Sequence, residues 1–351
     1  MTTMKMKTTT TPTIPSNPGA LSRIEKKFGK GSIFRLDSLK RDILDENNYI
    51  STGSYCLNEM LTGNYRLGYP AGRVIEIYGP EGVGKSTLAL HAAKEVTKKG
   101  GDVLYLDVEN GLSHDYAEKI GVDPEHLIVS QPGNGEDAFE IANQMIAEEK
   151  IPLVVVDSVA LLVPRAEVEG EMDANLMGAH ARLMGKGVRK MTGLLRKSKS
   201  TVIFINQLRM KIGNYGNPET TTGGNILKFQ AWLRIDVRAP RSGKVVGKGQ
   251  GSMEDVVKDK DKEKVELGKV LRIKSIKNKS FPPYRTCNVK INYGEGIDKD
   301  DDLLRFFESR GIITIEKKKI RYRGKKMLRK TFLAKAKKEY KARIKKKIKE
   351  G

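Results

Sequence analysis

Cysteine is nearly absent: the 351 residues hold two, Cys56 and Cys287, far apart and without metal-type spacing. That excludes a disulfide framework and a cysteine-built zinc site, and it points to a reducing compartment, the cytoplasm. The four histidines form no ligand cluster either. No apolar run approaches the roughly 18 residues a membrane helix needs. The first twenty residues are rich in Thr, Pro and Lys, lack the apolar stretch of a secretory signal, and read as a disordered arm. No internal repeat appears, so a solenoid is excluded. Acidic residues are also in short supply, 43 Asp and Glu against 65 Lys and Arg, for a formal net charge of +22 and a pI near 9.7. An excess of this size favours polyanionic partners, nucleic acid first, over a charge that only confers solubility.

What is present fits a soluble globular protein, 38% hydrophobic and 31% charged. The length suggests one large domain with smaller appendages. Short β-branched runs at Val74–Tyr78, Asp102–Val108, Leu153–Val156 and Val202–Ile205 alternate with helical stretches such as Ser86–Lys98, Gly135–Glu149 and Met177–Arg196. This pattern predicts an α/β fold, a twisted, mostly parallel central sheet flanked by helices. The organisation reads as an arm over 1–20, an N-terminal segment over 21–49 with an amphipathic start (Leu21, Ile24, Phe28), a core over 50–293, and a small basic C-terminal domain over 294–351. From Glu316 onward there are about 18 basic residues and about three acids. The charged stretch Lys244–Lys264 reads as a surface loop.

Gly79-Pro80-Glu81-Gly82-Val83-Gly84-Lys85-Ser86 satisfies the G-x-x-x-x-G-K-[ST] pattern between a predicted strand and a predicted helix. Glycines let backbone N–H groups curl around phosphate oxygens, and the following helix presents its positive end to them. Lys85 supplies a point charge at the β- and γ-phosphates, Ser86 a hydroxyl for Mg²⁺, and Thr87 continues the loop into the helix. Asp157, ending the apolar run Val154–Val156, is the expected second Mg²⁺ partner. Hydrolysis also needs a carboxylate that orients water. Asp107 and Glu109 both end the run Val103–Val108, and period-two alternation puts them on one face, so spacing alone leaves the choice open.

Further segments carry a resemblance. Ile24–Ile33, the phosphate loop, Val156–Ala160, Phe204–Gly213, the run Asn217-Pro218-Glu219-Thr220-Thr221-Thr222-Gly223-Gly224-Asn225 and Lys277-Asn278-Lys279 together resemble the bacterial RecA family over roughly residues 20 to 300. The resemblance implies a DNA recombinase with a P-loop (RecA-type) ATPase core: a filament on single-stranded DNA, homology search and strand exchange with duplex DNA, hydrolysis of ATP with Mg²⁺, and stimulation of repressor self-cleavage. It implies Glu109 as the water-orienting carboxylate, Tyr116 on the adenine, and Gln207 as the γ-phosphate sensor. Lys277 and Lys279 would reach the ATP of a neighbouring subunit, on which the Leu21–Phe28 segment would dock. Two loops, Glu169–Met177 and Arg209–Asn225, would grip DNA. The second offers Arg209, Met210, Lys211, Tyr215, Gly223, Gly224 and Asn225; its glycines and cations independently suit close approach to phosphates. Arg182 and Arg189 would add phosphate contacts, and Arg238, Arg272 and Lys274 would hold the incoming duplex.

Departures from the family pattern are Ser113, where an Asp is common, and Tyr215 for Phe in a second loop one residue shorter. Gly185 and Gly187 are expected to weaken a regular helix, and Ala239 removes a basic residue. The C-terminal end, with Lys341, Arg343 and Lys345–Lys347, is basic where the family is acidic, which implies less restrained duplex capture. A ring-type helicase on the same core would share Gly79–Ser86 and Asp157 but leaves the Thr220–Asn225 run without account. An ATP-gated DNA-coating scaffold would leave Lys85, Ser86, Glu109 and Gln207 without purpose.

Overall fold

The computed structural model describes residues 18–29, 32–33, 45–171, 178–210, 219–248, 264–316 and 319–338. Two compact units fall at Met1–Asp45 and Glu46–Gly351. In the first, Pro18–Phe28 is a helix whose Ile24 and Phe28 are exposed.

In the second, β1 (Tyr49–Ile50) and β2 (Tyr69–Pro70) form a small antiparallel pair. The main sheet contains β3 (Val74–Gly79), β4 (Val103–Asp107), β5 (Leu127–Ser130), β6 (Leu153–Asp157), β7 (Thr201–Met210), β8 (Glu219–Thr221), β9 (Leu233–Arg238), β10 (Lys244–Lys248), β11 (Lys264–Asn278), β12 (Thr286–Asn292) and β13 (Gly296–Ile297). Its path is β5-β4-β6-β7-β3-β9-β11-β12-β13. The six strands from β5 to β9 are parallel, and the remaining three pair antiparallel. The expected α/β class with a mostly parallel sheet is therefore the fold.

The apolar runs are continuous because the strands bury both faces. Val103, Tyr105, Leu153, Val155, Ile203 and Ile205 point into a core with Leu88, Ala92 and Leu57. Their neighbours Leu104, Leu106, Val154, Val156, Val202 and Phe204 point the other way, onto Phe139, Met184, Val188 and Met191. Within β3, Glu76 is fully buried, and its carboxylate accepts from Arg234 Nε (2.5 Å) and Asn206 Nδ2 (2.9 Å). A charge so placed is tolerable only when paired in this way.

Three expectations need correction. The stretch from Lys244 is not simply a loop: β10 pairs with the first half of β11, Lys248 opposite Lys264 and Lys244 opposite Lys269. Residues 249–263 lie outside those described. The Val-Val pair and the alternation after Lys264 supply the ladder that the charges hide. Arg209 and Met210 belong to strand, not loop, because β8 pairs with the end of β7, Arg209 opposite Thr220. Gly185 and Gly187 do not break their helix, which runs unbroken over Ala179–Ser198; a Cβ on Gly187 would sit 2.5 Å from the Phe139 ring, so packing selects the glycine.

Beyond Gly294 the chain stays stitched to the sheet through β13 and through the helix Lys299–Ser309. Asp302, fully buried, accepts from Ser54 Oγ (2.5 Å) and from the backbone N–H groups of Tyr55 (2.6 Å) and Cys56 (3.4 Å), capping the helix Tyr55–Thr62. After it, β14 (Ile313–Glu316), β15 (Lys319–Tyr322) and β16 (Lys325–Leu328) form a meander over Leu304, Phe332 and Ala336.

Candidate functional site

Parallel pairing collects the carboxyl ends of four strands at one edge. Gly79 of β3 lies opposite Gln207 of β7, Asp157 of β6 opposite Ile205, and Asp107 of β4 opposite Asp157. Ligands gather at such edges where the strand order reverses, and here β3 leads to β4 across β7 and β6.

The phosphate loop leaves β3 at Gly79 and enters the helix Lys85–Thr97. Gly82 (φ +61°) and Gly84 (φ +106°) take backbone conformations that side chains resist. Lys85 is largely buried, and its ammonium donates to the carbonyls of Pro80 (2.7 Å) and Gly79 (3.3 Å). Burial lowers its pKa, opposed by the carboxylates of Asp157, Glu109 and Glu81. Asp157 is pushed upward by burial. Its Oδ2 accepts from the buried Tyr105 hydroxyl at 2.6 Å, and the Tyr105 and Ser86 hydroxyls beside the carboxylate oppose that rise. Ser86 and Asp157 thus present two hard oxygens beside the loop, a donor set that fits Mg²⁺. Among the described residues no cluster of three His, Cys, Asp or Glu forms a metal site. Thr87 is buried, its hydroxyl 2.9 Å from that of Tyr116. Ser113 caps the helix His114–Ile120 by accepting from Tyr116 N (3.3 Å), so the departure at 113 keeps a local function.

The two acidic candidates separate in space. Asp107 is buried and spent on its own loop: it accepts from Gly111 N (3.0 Å), Leu112 N (3.3 Å) and Gln131 Nε2 (3.1 Å). Glu109 accepts from Ser158 Oγ (2.5 Å) and from Gln207 Nε2 (3.1 Å). Gln207 Oε1 in turn accepts from Arg209 Nη2 at 3.3 Å. A hydrogen-bonded chain therefore leads from the end of β6 through Glu109 and Gln207 to the exposed end of β7.

Beyond that end, residues 211–218, with Lys211 and Tyr215, lie outside those described, as do 172–177 of the first loop. Met210 is exposed. Thr222 Oγ1 donates to Asn206 Oδ1 (2.5 Å), and Asn206 Nδ2 donates to Thr222 O (3.1 Å), tying the returning arm to β7. Gly223 and Gly224, both at positive φ, pass close to Met184 and Ala181, and Asn225 precedes the short helix Ile226–Gln230. Arg182 and Arg189 are exposed on the long helix.

Arg272 lies opposite Arg238, and Lys274 opposite Asp236, so the three basic residues share one sheet face. Arg272 is exposed. Arg238 is engaged: its guanidinium binds both Glu219 oxygens (2.7 Å each) and Asp236 (2.7 Å). These partners hold its pKa above the usual arginine value, and the Arg238 hydrogen bond holds Glu219 below that of a free carboxylate. Nothing in the spacing of Arg238 and Glu219 announces this pairing. Lys277 and Lys279 stand at the other edge of the sheet, Lys277 opposite Arg234 near the start of β9. Lys277 Nζ donates to the carbonyls of Lys228 and Phe229 (2.8 Å each), and Lys279 Nζ lies 5.5 Å from the Trp232 ring. The strand register keeps both away from the phosphate loop of their own chain.

Strand order, phosphate loop and flanking carboxylates define an α/β nucleotide-binding protein of the phosphate-loop class. A family model described as the RecA N-terminal domain matches residues 17–298. Protein RecA of Acidiphilium cryptum strain JF-5 is 49% identical over 295 residues, 84% of this chain and 80% of its own length. Protein RecA of Bacteroides thetaiotaomicron is 46% identical over 294 residues, covering 84% and 82%. Protein RecA of Leptospira biflexa is 46% identical over 286 residues, covering 81% and 68%. The chain belongs to the RecA family.

Proposed function

We propose that this chain is a recombinase of homologous recombination and DNA repair that works as a DNA-dependent ATPase, assembling a helical filament on single-stranded DNA and pairing it with duplex DNA. Among the described residues no helix is long and apolar enough to cross a membrane.

The observation that carries the ATPase reading is the chain Ser158–Glu109–Gln207–Arg209, which joins the phosphate edge to the DNA-loop stem. The loop N–H groups and Lys85 bind the ATP phosphates. Glu109 orients the attacking water and takes its proton, while Asp107, saturated by loop donors, does not compete. Ser86 and Asp157 would hold Mg²⁺, which would neutralise charge on the phosphates of the bound nucleotide. Tyr116 packs on the adenine. Gln207 senses the γ-phosphate through the group it shares with Glu109. Lys277 and Lys279 complete the site of the neighbouring subunit, which explains why they stand at the far edge of their own sheet. Arg182, Arg189 and the 209–225 segment grip the first strand; Arg272 and Lys274, with Arg238, hold the incoming duplex. The contacts are to backbones, because pairing between strands supplies the specificity.

Phosphate release from ATP, with and without single-stranded DNA, tests the reading in the parent, Lys85→Ala and Glu109→Gln. DNA stimulates the parent strongly, and both substitutions abolish the stimulated rate. DNA binding with no stimulated hydrolysis in the parent would refute the proposal.

A further inference from the structure

The row Ser275, Ile273, Leu271 on β11 faces the core, and period-two alternation brings Lys269 next in the same register. A lysine in an apolar row sits there only if its head reaches a polar partner. Lys269 does so: its ammonium donates to the carbonyl of Gly82, in the middle of the phosphate loop, at 2.5 Å. The residue is half-buried, and burial lowers its pKa. The Tyr293 ring lies 5.4 Å from the ammonium, and the Tyr293 hydroxyl donates to Glu266 (2.7 Å), fixing the ring beside it. Below, Gly84 presses on the same hairpin, its added Cβ 3.1 Å from Ile291 and 3.7 Å from Leu271.

We propose that Lys269 is a positioning residue for nucleotide binding, holding the Gly82–Val83 peptide so that the Val83 N–H faces the phosphates. The reason is peptide geometry. In a trans peptide the C=O and the following N–H point in opposite directions. A cation that anchors the Gly82 carbonyl on the outer side of the loop therefore turns the Val83 N–H inward. Lys85 binds the loop from within, through the Gly79 and Pro80 carbonyls, and Lys269 from the hairpin outside. The two ammonium groups are near enough for Lys269 to depress the Lys85 pKa, which adds positive potential at the loop. Without Lys269 the flexible Gly82 peptide can rotate, and part of the binding free energy is spent on ordering it.

The inference rests on the ATP-site reading, so its test carries a control for that reading. Fluorescent ADP and a slowly hydrolysed ATP analogue are titrated without DNA into the parent, Lys269→Ala, Lys269→Gln, Lys269→Arg and Lys85→Ala. Loss of one charge-assisted hydrogen bond corresponds to about tenfold. Lys269→Ala and Lys269→Gln weaken both nucleotides by the same factor, about tenfold. Lys269→Arg, which keeps a donor at the carbonyl, stays within about threefold of the parent. With DNA the KM for ATP rises while kcat at saturation is retained, and the melting temperature without nucleotide is unchanged. Selective loss of the ATP analogue with ADP unaffected would mean direct contact with the γ-phosphate and would overturn the positioning role. Affinities within twofold of the parent, or a fall in melting temperature with unchanged affinity, would reduce Lys269 to a surface tether and overturn it as well. If the parent and Lys85→Ala bind nucleotide equally poorly, the ATP-site reading itself fails.

Discussion

Two glycines two residues apart on one helix should respond to alanine with opposite signs. Gly185 and Gly187 both lie inside Ala179–Ser198, where an alanine gains about 1 kcal/mol over glycine from backbone entropy alone. The atoms nearest a methyl on Gly185 are the guanidinium tip of Arg189, the first 3.5 Å away, and that flexible side chain can yield. Gly185→Ala therefore stabilises by about 0.5–1 kcal/mol. A methyl on Gly187 would stand 2.5–2.6 Å from three ring atoms of Phe139. Phe139 is buried, and its ring centroid lies 6.4 Å from that of Phe204, so it has little room to retreat. Overpacking costs about 1–3 kcal/mol, and contacts this short belong to the upper part of that range, about 2–3 kcal/mol, which outweighs the propensity gain and leaves a net loss of about 1–2 kcal/mol. Urea midpoints at constant slope measure both effects. The decisive step is the Phe139→Ala background: with the ring removed, Gly187→Ala should become stabilising by about 1 kcal/mol, a coupling of about 2–3 kcal/mol. If Gly187→Ala stabilises the parent as Gly185→Ala does, the helix moves aside and the ring does not select the glycine.

Asp302→Ala strips an acceptor from Ser54 Oγ and two helix N–H groups; a loss of about 3 kcal/mol is expected, with protease cleavage appearing first in 299–338. An unchanged melting temperature and cleavage pattern would contradict the stitch. His91 is buried, accepts from Ile297 N (2.8 Å) and has its pKa lowered to about 3, first by burial and then by Lys299 and Lys94. Since the folded pKa lies below the unfolded value near 6.5, the unfolded chain takes up the extra proton, and stability falls as pH drops from about 6.5 toward 3. At pH 5 the loss attributable to this group is about 2 kcal/mol; His91→Gln should flatten that part of the stability–pH curve, and an unaltered slope would assign it elsewhere. Because Arg238 is already held by Glu219 and Asp236, Arg238→Ala should weaken binding of a second DNA less than Arg272→Ala, which lowers the salt slope by about one. Equal losses in a salt titration would show that the ion pairs open on binding.

Strands buried on both faces were legible because their sequence cannot hide: Leu153–Val156 and Val202–Ile205 are unbroken apolar runs. The long helix was legible from Met184, Val188, Met191 and Leu195, which recur at helical spacing. What stayed hidden involves partners distant in sequence. Glu76 looks like an exposed charge interrupting β3 until Arg234, 158 residues on, comes beside it. Asp107 and Glu109 share a face by spacing, and only the fold shows that Gly111, Leu112 and Gln131 occupy the first. Lys269 does not stand out in the sequence, because a lysine near a charged stretch reads as solvated. Its one sequence signal was the register, in step with Leu271 and Ile273 on the inward row. The hairpin of β10 and β11 was masked by the same charges. Propensity at Gly187 is local, whereas the Phe139 ring that selects it is distant in sequence.

The same strand that ends at the phosphate-loop edge leads into the segment proposed to grip DNA, and this sets a bound on how strongly the two proposed sites can speak to each other. β7 is paired on both sides, with β3 and β6, up to Gln207 and Ile205, so it moves as a unit or not at all. In the proposed function, the part free to respond to the nucleotide is the short connection at its end, Glu109 to Gln207 to Arg209, together with the Asn206–Thr222 bonds that hold the returning arm. A hydrogen bond to a charged group is worth about 1.5–3 kcal/mol. If the Gln207–Glu109 bond is made in one nucleotide state and lost in the other, DNA affinity differs between the states by at most roughly 10- to 150-fold. Linkage makes the factor reciprocal for binding, so DNA tightens ATP by as much as ATP tightens DNA. The bound holds for affinities and sets no limit on the rate of hydrolysis. Under the proposed function, Lys277 and Lys279, at the opposite edge of the sheet, are the cations that filament assembly would bring to a neighbouring site.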